Sequence, residues 1–293
     1  MPANLLPVLN RRAFLRSSSL GAIAAIVGYS ARGESDALRL AMLADTHIPA
    51  NKLPGARGYN AYTQLQNIVP AIVATNADGL LLAGDAAQLT GEKEDYAVLL
   101  EVLQPVLAEM PGFIALGNHD DRENFFATVT KLDGSRPAVK DKHVTVIEHA
   151  AIRIILLDSL MFVRKSGGFL GKVQRDWLAG YLSANTDRPV AIVFHHTLGE
   201  GDNDLLDDIR FFQVIAPHSH VKAIFHGHSH RWQVYERQGI PVINLPTSAH
   251  IWTPDQPIGW VDATFKQDGM RLVLNAFGGN TAENGKEFAF NWK

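Results

Sequence analysis

The chain has 293 residues, of which 46% are hydrophobic and 19% are charged, and its formal net charge is −3. This balance argues against nucleic acid or an anionic membrane surface as a partner, since both normally require a basic stripe. The chain contains no cysteine, which excludes disulfides and thiolate metal sites. Its length could hold two domains of about 150 residues, but the motifs below interleave over residues 45–230, so we expect one domain over residues 37–293.

The amino-terminal segment predicts an export signal. Arg11 and Arg12 precede a mildly apolar run over residues 17–28, which is the layout of a bacterial twin-arginine (Tat) signal. The run is too short for the ~20 residues of a membrane span. We therefore expect residues 1–31 to be a Tat signal peptide that the Tat export machinery reads, sending the protein to the periplasm or the extracellular space. The imperfect small-x-small motif at residues 29–31 leaves an uncleaved amino-terminal anchor open, and a basic start of a cytoplasmic enzyme is the other alternative.

Five apolar runs follow, and each ends at a polar residue that can bind a metal. Continuous apolar stretches of this length are typical of strands buried on both faces. The runs occupy residues 37–44, 79–84, 113–117, 190–194 and 221–225, and helical segments at 59–75, 92–109 and 172–183 separate several of them. This alternation predicts βαβ units in a largely parallel sheet. Because open α/β sheets bind ligands at the carboxyl ends of their strands, the polar residues should meet along one edge.

The polar residues that follow these runs form a set of seven potential metal ligands. They are Asp45, His47, Asp85, Asn118, His195, His228 and His230. Their oxygen and nitrogen donors suit a borderline or hard divalent or trivalent ion. Seven donors exceed the needs of one tetrahedral ion, and a shared carboxylate commonly holds two ions about 3.5–4 Å apart. The set therefore predicts two metal ions, with Asp85 as the bridge.

Other polar positions receive simpler interpretations. A neutral imidazole often only bridges backbone groups, so we expect His149, His218, His220 and His250 to be structural and His226 to pack beside the site. The glycine-rich segment 167–172 lacks the spacing of a phosphate-binding loop and is interpreted as a flexible loop. Loops near residues 51–60, 120–126 and 199–208 are expected to carry substrate specificity.

Beyond the last of these ligands, the pattern predicts antiparallel strands. Residues 232–245 indicate two strands around Gln238-Gly239, and residues 259–276 repeat this scheme around Asp268-Gly269. We expect both pairs in a second sheet. Two mixed β-sheets packed face to face and flanked by helices give a four-layer αββα sandwich of the α/β class.

At this point the sequence resembles the calcineurin-like metallophosphoesterases, whose pattern D-x-H, GD, GNH[D/E], H and GHxH occurs here in the same order. The matching segments are Asp45-Thr46-His47, Gly84-Asp85, Gly117-Asn118-His119-Asp120, His195-His196 and Gly227-His228-Ser229-His230. The resemblance implies the same αββα fold and two ions of iron, manganese or zinc with a water or hydroxide between them. One ion would be held by Asp45, His47, Asp85 and His230, and the other by Asp85, Asn118, His195 and His228.

The resemblance also gives roles to neighbouring residues. His119 occupies the position of a histidine that donates a proton to the leaving group or hydrogen-bonds it, and Asp120 would orient a neighbouring histidine. Arg122 could reach a substrate phosphate, with an ordinary solvated arginine at a helix start as the equal alternative. His196 is a further candidate for substrate contact or for support of the ligands.

Within the family, segment 111–122 is most similar to phosphodiesterases acting on cyclic nucleotides and glycerophosphodiesters. Purple acid phosphatases have a glycine where this chain has His47 and a tyrosine where it has Gln88, so no tyrosinate colour is expected. The resemblance thus implies a dinuclear hydrolase of small phosphate esters, similar to phosphodiesterases, with phosphomonoester hydrolysis as the alternative. A non-catalytic binding module is the other alternative, because fold alone does not fix function.

Overall fold

The computed structural model describes residues 36–131 and 133–292. The expected signal peptide at residues 1–31 lies outside the described residues. Within the described part, no helix has the length and apolar character needed to cross a bilayer.

The strands are β1 Ala37–Leu43, β2 Gly79–Ala83, β3 Gly112–Ala115, β4 Thr145–Glu148, β5 Arg153–Leu156, β6 Val190–Val193, β7 Val221–His226, β8 Gln233–Arg237, β9 Ile240–Asn244, β10 Pro257–Lys266, β11 Gly269–Gly279 and β12 Glu287–Asn291. The helices are α1 Ala61–Ala74, α2 Lys93–Leu107, α3 Arg122–Thr128, α4 Lys172–Ala184 and α5 Asp208–Ile215, with a 3-10 turn at Ala56–Gly58.

These strands form two mixed sheets. The first has the order β12-β11-β10-β1-β2-β3, and the second has the order β4-β5-β6-β7-β9-β8. In the first sheet β1, β2 and β3 are parallel, while in the second β5, β6, β7 and β9 are parallel. The five strands predicted from apolar runs are confirmed as strands, but they divide between two sheets instead of sharing one.

The carboxyl-terminal hairpins also divide between the sheets, which corrects the expectation that both belong to the second. Hairpin β8–β9 closes the second sheet, whereas β10 pairs with β1 and extends the first sheet. The β8–β9 turn is the predicted Gln238-Gly239, and both residues have positive φ angles, 53° and 78°, as a type I′ turn requires. The β10–β11 turn lies one residue earlier than predicted, because Lys266 pairs with Gly269.

Three apolar clusters hold the layers together and confirm the four-layer sandwich. Between the sheets, residues such as Leu40, Met42 and Phe225 are fully buried. Alternate residues of β1, including Ala41 and Leu43, face α1, α2 and α3 on the outer side of the first sheet. A third cluster joins the second sheet to α4 and α5. Both faces of the central strands are therefore covered, which explains why their sequences are continuously apolar.

Candidate metal centre

The predicted ligands lie in the turns that follow the parallel strands of both sheets. Five of the seven have positive φ angles, namely Asp45 (53°), His47 (41°), Asp85 (51°), His228 (73°) and His230 (54°). Such conformations cost a non-glycine residue about 1–3 kcal/mol and cluster at functional sites. The turns brace each other, since the amides of Asp45 and His47 donate to the carbonyl oxygens of Gly84 and Asp85 at 3.1 and 3.0 Å. These bonds tie the turn after β1, with Asp45 and His47, to the turn after β2, with Asp85.

Glycine in the Gly84-Asp85 motif permits the sheets to approach this closely. Gly84 has a φ of 91°, and a Cβ atom there would lie 2.6 Å from the Nδ1 of His195. Any side chain at this position would push His195, which follows β6 of the second sheet, away from the turn after β2. The glycine is thus required by the contact between the two halves of the site.

The first group of predicted ligands contains Asp45, His47 and His230. The Nε2 atoms of the two histidines are 3.0 Å apart, and His230 Nε2 lies 3.5 Å from Asp45 Oδ1. His47 Nε2 also lies 3.6 Å from Asp85 Oδ2. Donor atoms that bind one ion at about 2.0–2.2 Å are roughly 3.0–3.5 Å from each other. The spacings of 3.0 and 3.5 Å fit one shared cation, whereas the 4.0 Å between His47 Nε2 and Asp45 Oδ1 exceeds this range.

Hydrogen bonding leaves two lone pairs facing each other in this group. The Nδ1 atoms of His47 and His230 lie 3.2 and 2.6 Å from the carbonyl oxygens of Gln88 and His250. A carbonyl oxygen only accepts, so both Nδ1 atoms donate. Burial lowers the pKa of His47 to about 3 and the pKa of His230 well below its usual value. Both rings are therefore neutral, and their opposed Nε2 lone pairs repel unless a cation lies between them.

The second group contains Asp85, His195 and His228, with Asn118 beside them. His195 Nε2 is 3.2 Å from Asp85 Oδ2 and 3.3 Å from His228 Nδ1. Asn118 is buried, and its side-chain oxygen has no hydrogen-bond partner among the described residues. An orphaned buried amide oxygen costs about 1–3 kcal/mol, which a bound cation would offset. Because Asp85 Oδ2 lies close to both groups, it has the position expected of the bridge.

The buried carboxylates and histidines of the site shift one another's pKa values. Burial, reinforced by Asp85, raises the pKa of Asp45 to about 7. Against the cost of burial, Asp85 and Asp45 raise the pKa of His195 to about 9, and the adjacent His195 in turn holds the pKa of Asp85 well below its usual range. Burial lowers the pKa of His228 to about 4. Ligating groups must be deprotonated, so a cation would replace the proton that His195 otherwise holds between the carboxylates.

His119 lies at the rim of this constellation. Its Nδ1 atom is 3.0 Å from the carbonyl oxygen of Leu89 and therefore donates to it. Its Nε2 atom is 4.0 Å from Asp85 Oδ2, and a quarter of the side chain is exposed to the cavity side. The hydrogen bond to Leu89 leaves Nε2 as the nitrogen that is available to a ligand or substrate.

Asp120 does not orient a histidine, which corrects the sequence-based expectation. Its buried carboxylate accepts hydrogen bonds from the amides of Ala86, Ala87 and Gly117 at 3.3, 3.1 and 2.8 Å. The hydroxyl of Tyr96 donates to it at 3.2 Å. Asp120 therefore ties the turn after β2 to the turn after β3, and so fixes Asp85 relative to Asn118.

Arg122 is engaged away from the cavity. Its Nε and Nη2 atoms donate to the two carboxylate oxygens of Asp158 at 2.6 and 2.8 Å, and Nη2 also donates to the carbonyl oxygen of Leu160. Arg122 is not among the cavity-lining residues. The geometry gives no support to a contact with substrate phosphate and indicates instead that Arg122 fastens the start of α3 to the loop after β5.

His196 supports the ligands, which is one of the two roles expected for it, whereas His250 lies closer to the site than expected. His196 is fully buried, and its Nδ1 atom lies 2.8 Å from Ser159 Oγ. Its ring centroid is 4.8 Å from that of His228, so His196 packs against this ligand and supports it. His250, expected to be structural, has its ring 4.3 Å from that of His230 and lines the cavity. His250 comes after the carboxyl end of β9, which is parallel to β7, and the sequence alone did not indicate this pairing.

A cavity of about 690 Å³ opens above both groups. Its lining includes His47, Asp85, Asn118, His119 and His228, together with residues of the loops at 49–61 and 197–204. Two of the three expected specificity loops thus form its walls, whereas most of segment 120–126 is taken up by α3. The volume suits a small organic ligand.

Comparisons with known proteins agree with this geometry. Residues 38–232 match the model of the family described as calcineurin-like phosphoesterase. The chain is 27% identical over 255 residues to a 3',5'-cyclic adenosine monophosphate phosphodiesterase of Haemophilus influenzae, covering 81% of this chain and 89% of that protein. It is 25% identical over 224 residues to a glycerophosphodiester phosphodiesterase of Enterobacter lignolyticus, covering 72% and 77%. The crystal structure of a dimetal phosphatase from Danio rerio shares the fold, with a TM-score of 0.65, 15% identity and coverage of 87% and 99%.

Proposed function

Since the chain belongs to the calcineurin-like phosphoesterase family, we propose that this dinuclear metal-dependent hydrolase prefers phosphodiesters to phosphomonoesters. We further propose that its two ions are held by Asp45, His47, Asp85, Asn118, His195, His228 and His230. The distances within the two groups, the opposed lone pairs and the orphaned oxygen of Asn118 support this assignment. The similarity to relatives named as cyclic nucleotide and glycerophosphodiester phosphodiesterases supports the preference for diesters.

The charge of the cavity-lining side chains is the observation that most favours phosphodiesters as substrates. Among the described residues that line the cavity, none is lysine or arginine, and Asp204 adds a carboxylate. A phosphodiester has one negative charge, whereas a monoester has a second pKa near 6 and carries nearly two at pH 7. With no lysine or arginine in the lining to balance the extra charge, the monoester depends on the metal ions and on His119, and is repelled by Asp204. The wall therefore favours the monoanion.

Different residues of the site would hold the metal ions, fix their positions and donate a proton. When bound, the two ions neutralise the phosphoryl oxygens and lower the pKa of bound water from 15.7 to about 7, as known for zinc sites. Asp85 spans both groups and fixes their separation, while the turns braced by Asp120 keep Asp85 and Asn118 in register. His119, through Nε2, is positioned to give a proton to the leaving oxygen as the phosphorus–oxygen bond breaks.

Parallel assays of bis-p-nitrophenyl phosphate and p-nitrophenyl phosphate test this proposal directly. Both release the same chromophore, so the ratio of their kcat/KM values reports the preference between diester and monoester. We expect the metal-loaded protein to favour the diester by about tenfold or more, a difference of about 1.4 kcal/mol. Replacing Asp204 with asparagine should raise monoester hydrolysis selectively. A higher kcat/KM for the monoester would overturn the proposal in favour of a phosphomonoesterase.

We also propose that residues 1–31 form a cleaved Tat signal or an uncleaved anchor, and that residues 37–293 act outside the cytoplasm. The twin arginines and the short apolar run support this. Export after folding suits a protein whose metal ligands come from seven positions between residues 45 and 230, because the ions can bind before transport.

A further inference from the structure

The two sides of the cavity differ in chemistry. Beside the first ligand group, Trp252 packs on His230 and Leu89 accepts a hydrogen bond from His119, and we call this the apolar side. Beside the second ligand group, the carbonyl oxygen of Asn203 accepts a hydrogen bond from His228 and Asp204 also lines the cavity, and we call this the polar side. A phosphodiester has two alcohol substituents, so a divided cavity can treat them differently.

Trp252 forms an aromatic wall on the apolar side. Its ring lies 5.4 Å from that of His230 and 4.9 Å from that of His250, and 49% of the residue remains exposed. Arg57 holds it from the loop at 49–60, with its guanidinium carbon 5.0 Å from the ring centroid and its Nη1 donating to the Trp252 carbonyl oxygen at 2.8 Å. A tryptophan fixed in this way offers a preorganised surface to an aromatic or apolar group.

Asp204 gives the polar side a fixed acceptor. Its carboxylate accepts hydrogen bonds from the Thr197 hydroxyl and, at 2.9 Å, from the amide of Gly201. The neighbouring Asn203 carbonyl oxygen accepts from His228 Nε2 at 2.9 Å, so this side adjoins the second ligand group. A carboxylate has room for more hydrogen bonds than these two. It can therefore bind a hydroxyl or ammonium group of a substrate.

The proposed proton donor, His119, lies on the apolar side. His119 donates through Nδ1 to the carbonyl oxygen of Leu89, an apolar-side residue, and its ring is 5.0 Å from that of His47 in the first ligand group. Trp252 packs on His230, which belongs to the same group. Trp252 and His119 thus both adjoin the first ligand group, so an alcohol that lies against Trp252 is expected to be the one nearer to His119.

Building on the proposed phosphodiesterase activity, we propose that the enzyme cleaves asymmetric phosphodiesters with a fixed direction. The alcohol that carries an aromatic or apolar group lies against Trp252 and leaves, while the phosphate stays on a hydroxyl- or amine-bearing alcohol held near Asp204. Water forms the new phosphorus–oxygen bond, the bond to the apolar alcohol breaks, and the leaving oxygen takes a proton. The products are the apolar alcohol and a phosphomonoester of the polar alcohol.

Hydrolysis of glyceryl 2-phenylethyl phosphate tests the direction of cleavage. Both alcohols are primary, so their leaving abilities are similar, and phosphorus NMR distinguishes glycerol phosphate from 2-phenylethyl phosphate. We expect glycerol phosphate to exceed the other product by about tenfold or more, the scale on which an apolar pocket discriminates. Equal amounts, or an excess of 2-phenylethyl phosphate, would overturn the inference. If neither this ester nor bis-p-nitrophenyl phosphate is hydrolysed, the proposed function itself fails.

Two variants locate the selectivity. Trp252→Ala should lower the product ratio several-fold and raise KM for the phenylethyl ester, while its metal content stays at the wild-type level. Phe277→Ala is the matched control, because Phe277 is an exposed aromatic on β11 that does not line the cavity, and it should keep the wild-type ratio. If the Trp252→Ala protein keeps its metal ions and its product ratio is unchanged, the role of Trp252 is contradicted. If this variant does not fold, the product ratio of the wild-type protein decides.

Discussion

Each of the four histidines in the predicted metal centre has one ring nitrogen fixed by a backbone carbonyl. His47, His195 and His230 donate through Nδ1 and present Nε2, whereas His228 donates through Nε2 to Asn203 and presents Nδ1. Such outer hydrogen bonds set the tautomer and the ring orientation of metal ligands. The sequence predicted which histidines would meet, but the choice of nitrogen depends on carbonyl groups that only the folded chain brings near.

Asp85 and Asn118 should differ in how many ions they hold. Asp85→Ala should remove both ions and abolish turnover, because its carboxylate lies between the two groups, whereas Asn118→Ala should preferentially empty the second site. Elemental analysis of the purified proteins measures this. Asp268→Ala, which changes an exposed aspartate at the β10–β11 turn, is the control. An Asp85→Ala protein with two ions and near-normal turnover would refute the bridge.

His119 should matter in proportion to how much the leaving oxygen needs a proton. His119→Ala should slow esters of alkyl alcohols by ~10²–10⁴-fold and should spare p-nitrophenyl esters, whose leaving anion is already stable. Metal content must be measured in parallel, because His119 adjoins Asn118 and its amide donates to Asp85 Oδ1 at 2.8 Å. Equal losses on both substrate classes at full metal content would exclude proton donation.

At the scale of elements, the strand ends were predictable and the division between sheets was not. The runs before Asp45, Asp85 and His195 are apolar because both faces of β1, β2 and β6 are covered. The sequence of an apolar run does not show whether the next predicted strand pairs with it in the same sheet or belongs to the facing sheet. The strand β12 and the orientation of Trp252 toward the cavity depend on contacts between distant segments, such as Arg57 with Trp252, so local patterns did not indicate them.

Asp120 should stabilise the connection between the turns after β2 and β3. Asp120→Asn replaces one acceptor oxygen with a donor that faces backbone N–H groups, and we expect a loss on the order of 3 kcal/mol in the free energy of unfolding, since each unsatisfied buried group costs about 1–3 kcal/mol. Tyr96→Phe removes the hydroxyl that donates to Asp120 and accepts from the Asp121 amide, and should cost about 1–2 kcal/mol. Urea denaturation of metal-free protein compares the two, and an Asp120→Asn protein as stable as wild type would contradict this role.

At the scale of the whole molecule, the amino-terminal segment should determine location without affecting chemistry. Replacing Arg11 and Arg12 with lysines should keep folded, active enzyme in the cytoplasm, because the paired arginines are the address that the export receptor reads. Fractionation of cells that produce the variant and the wild type measures the distribution of diester hydrolysis. Unchanged activity outside the cytoplasm would refute the Tat signal.

The account rests on two ions acting together in one site built from both sheets. Titrating metal into chelator-treated protein, while recording bound ions and hydrolysis of bis-p-nitrophenyl phosphate in the same samples, tests this most directly. We predict no turnover without metal and a rate that reaches its plateau when two ions are bound per chain. A full rate in metal-free protein, or a plateau at one bound ion, would contradict the dinuclear site.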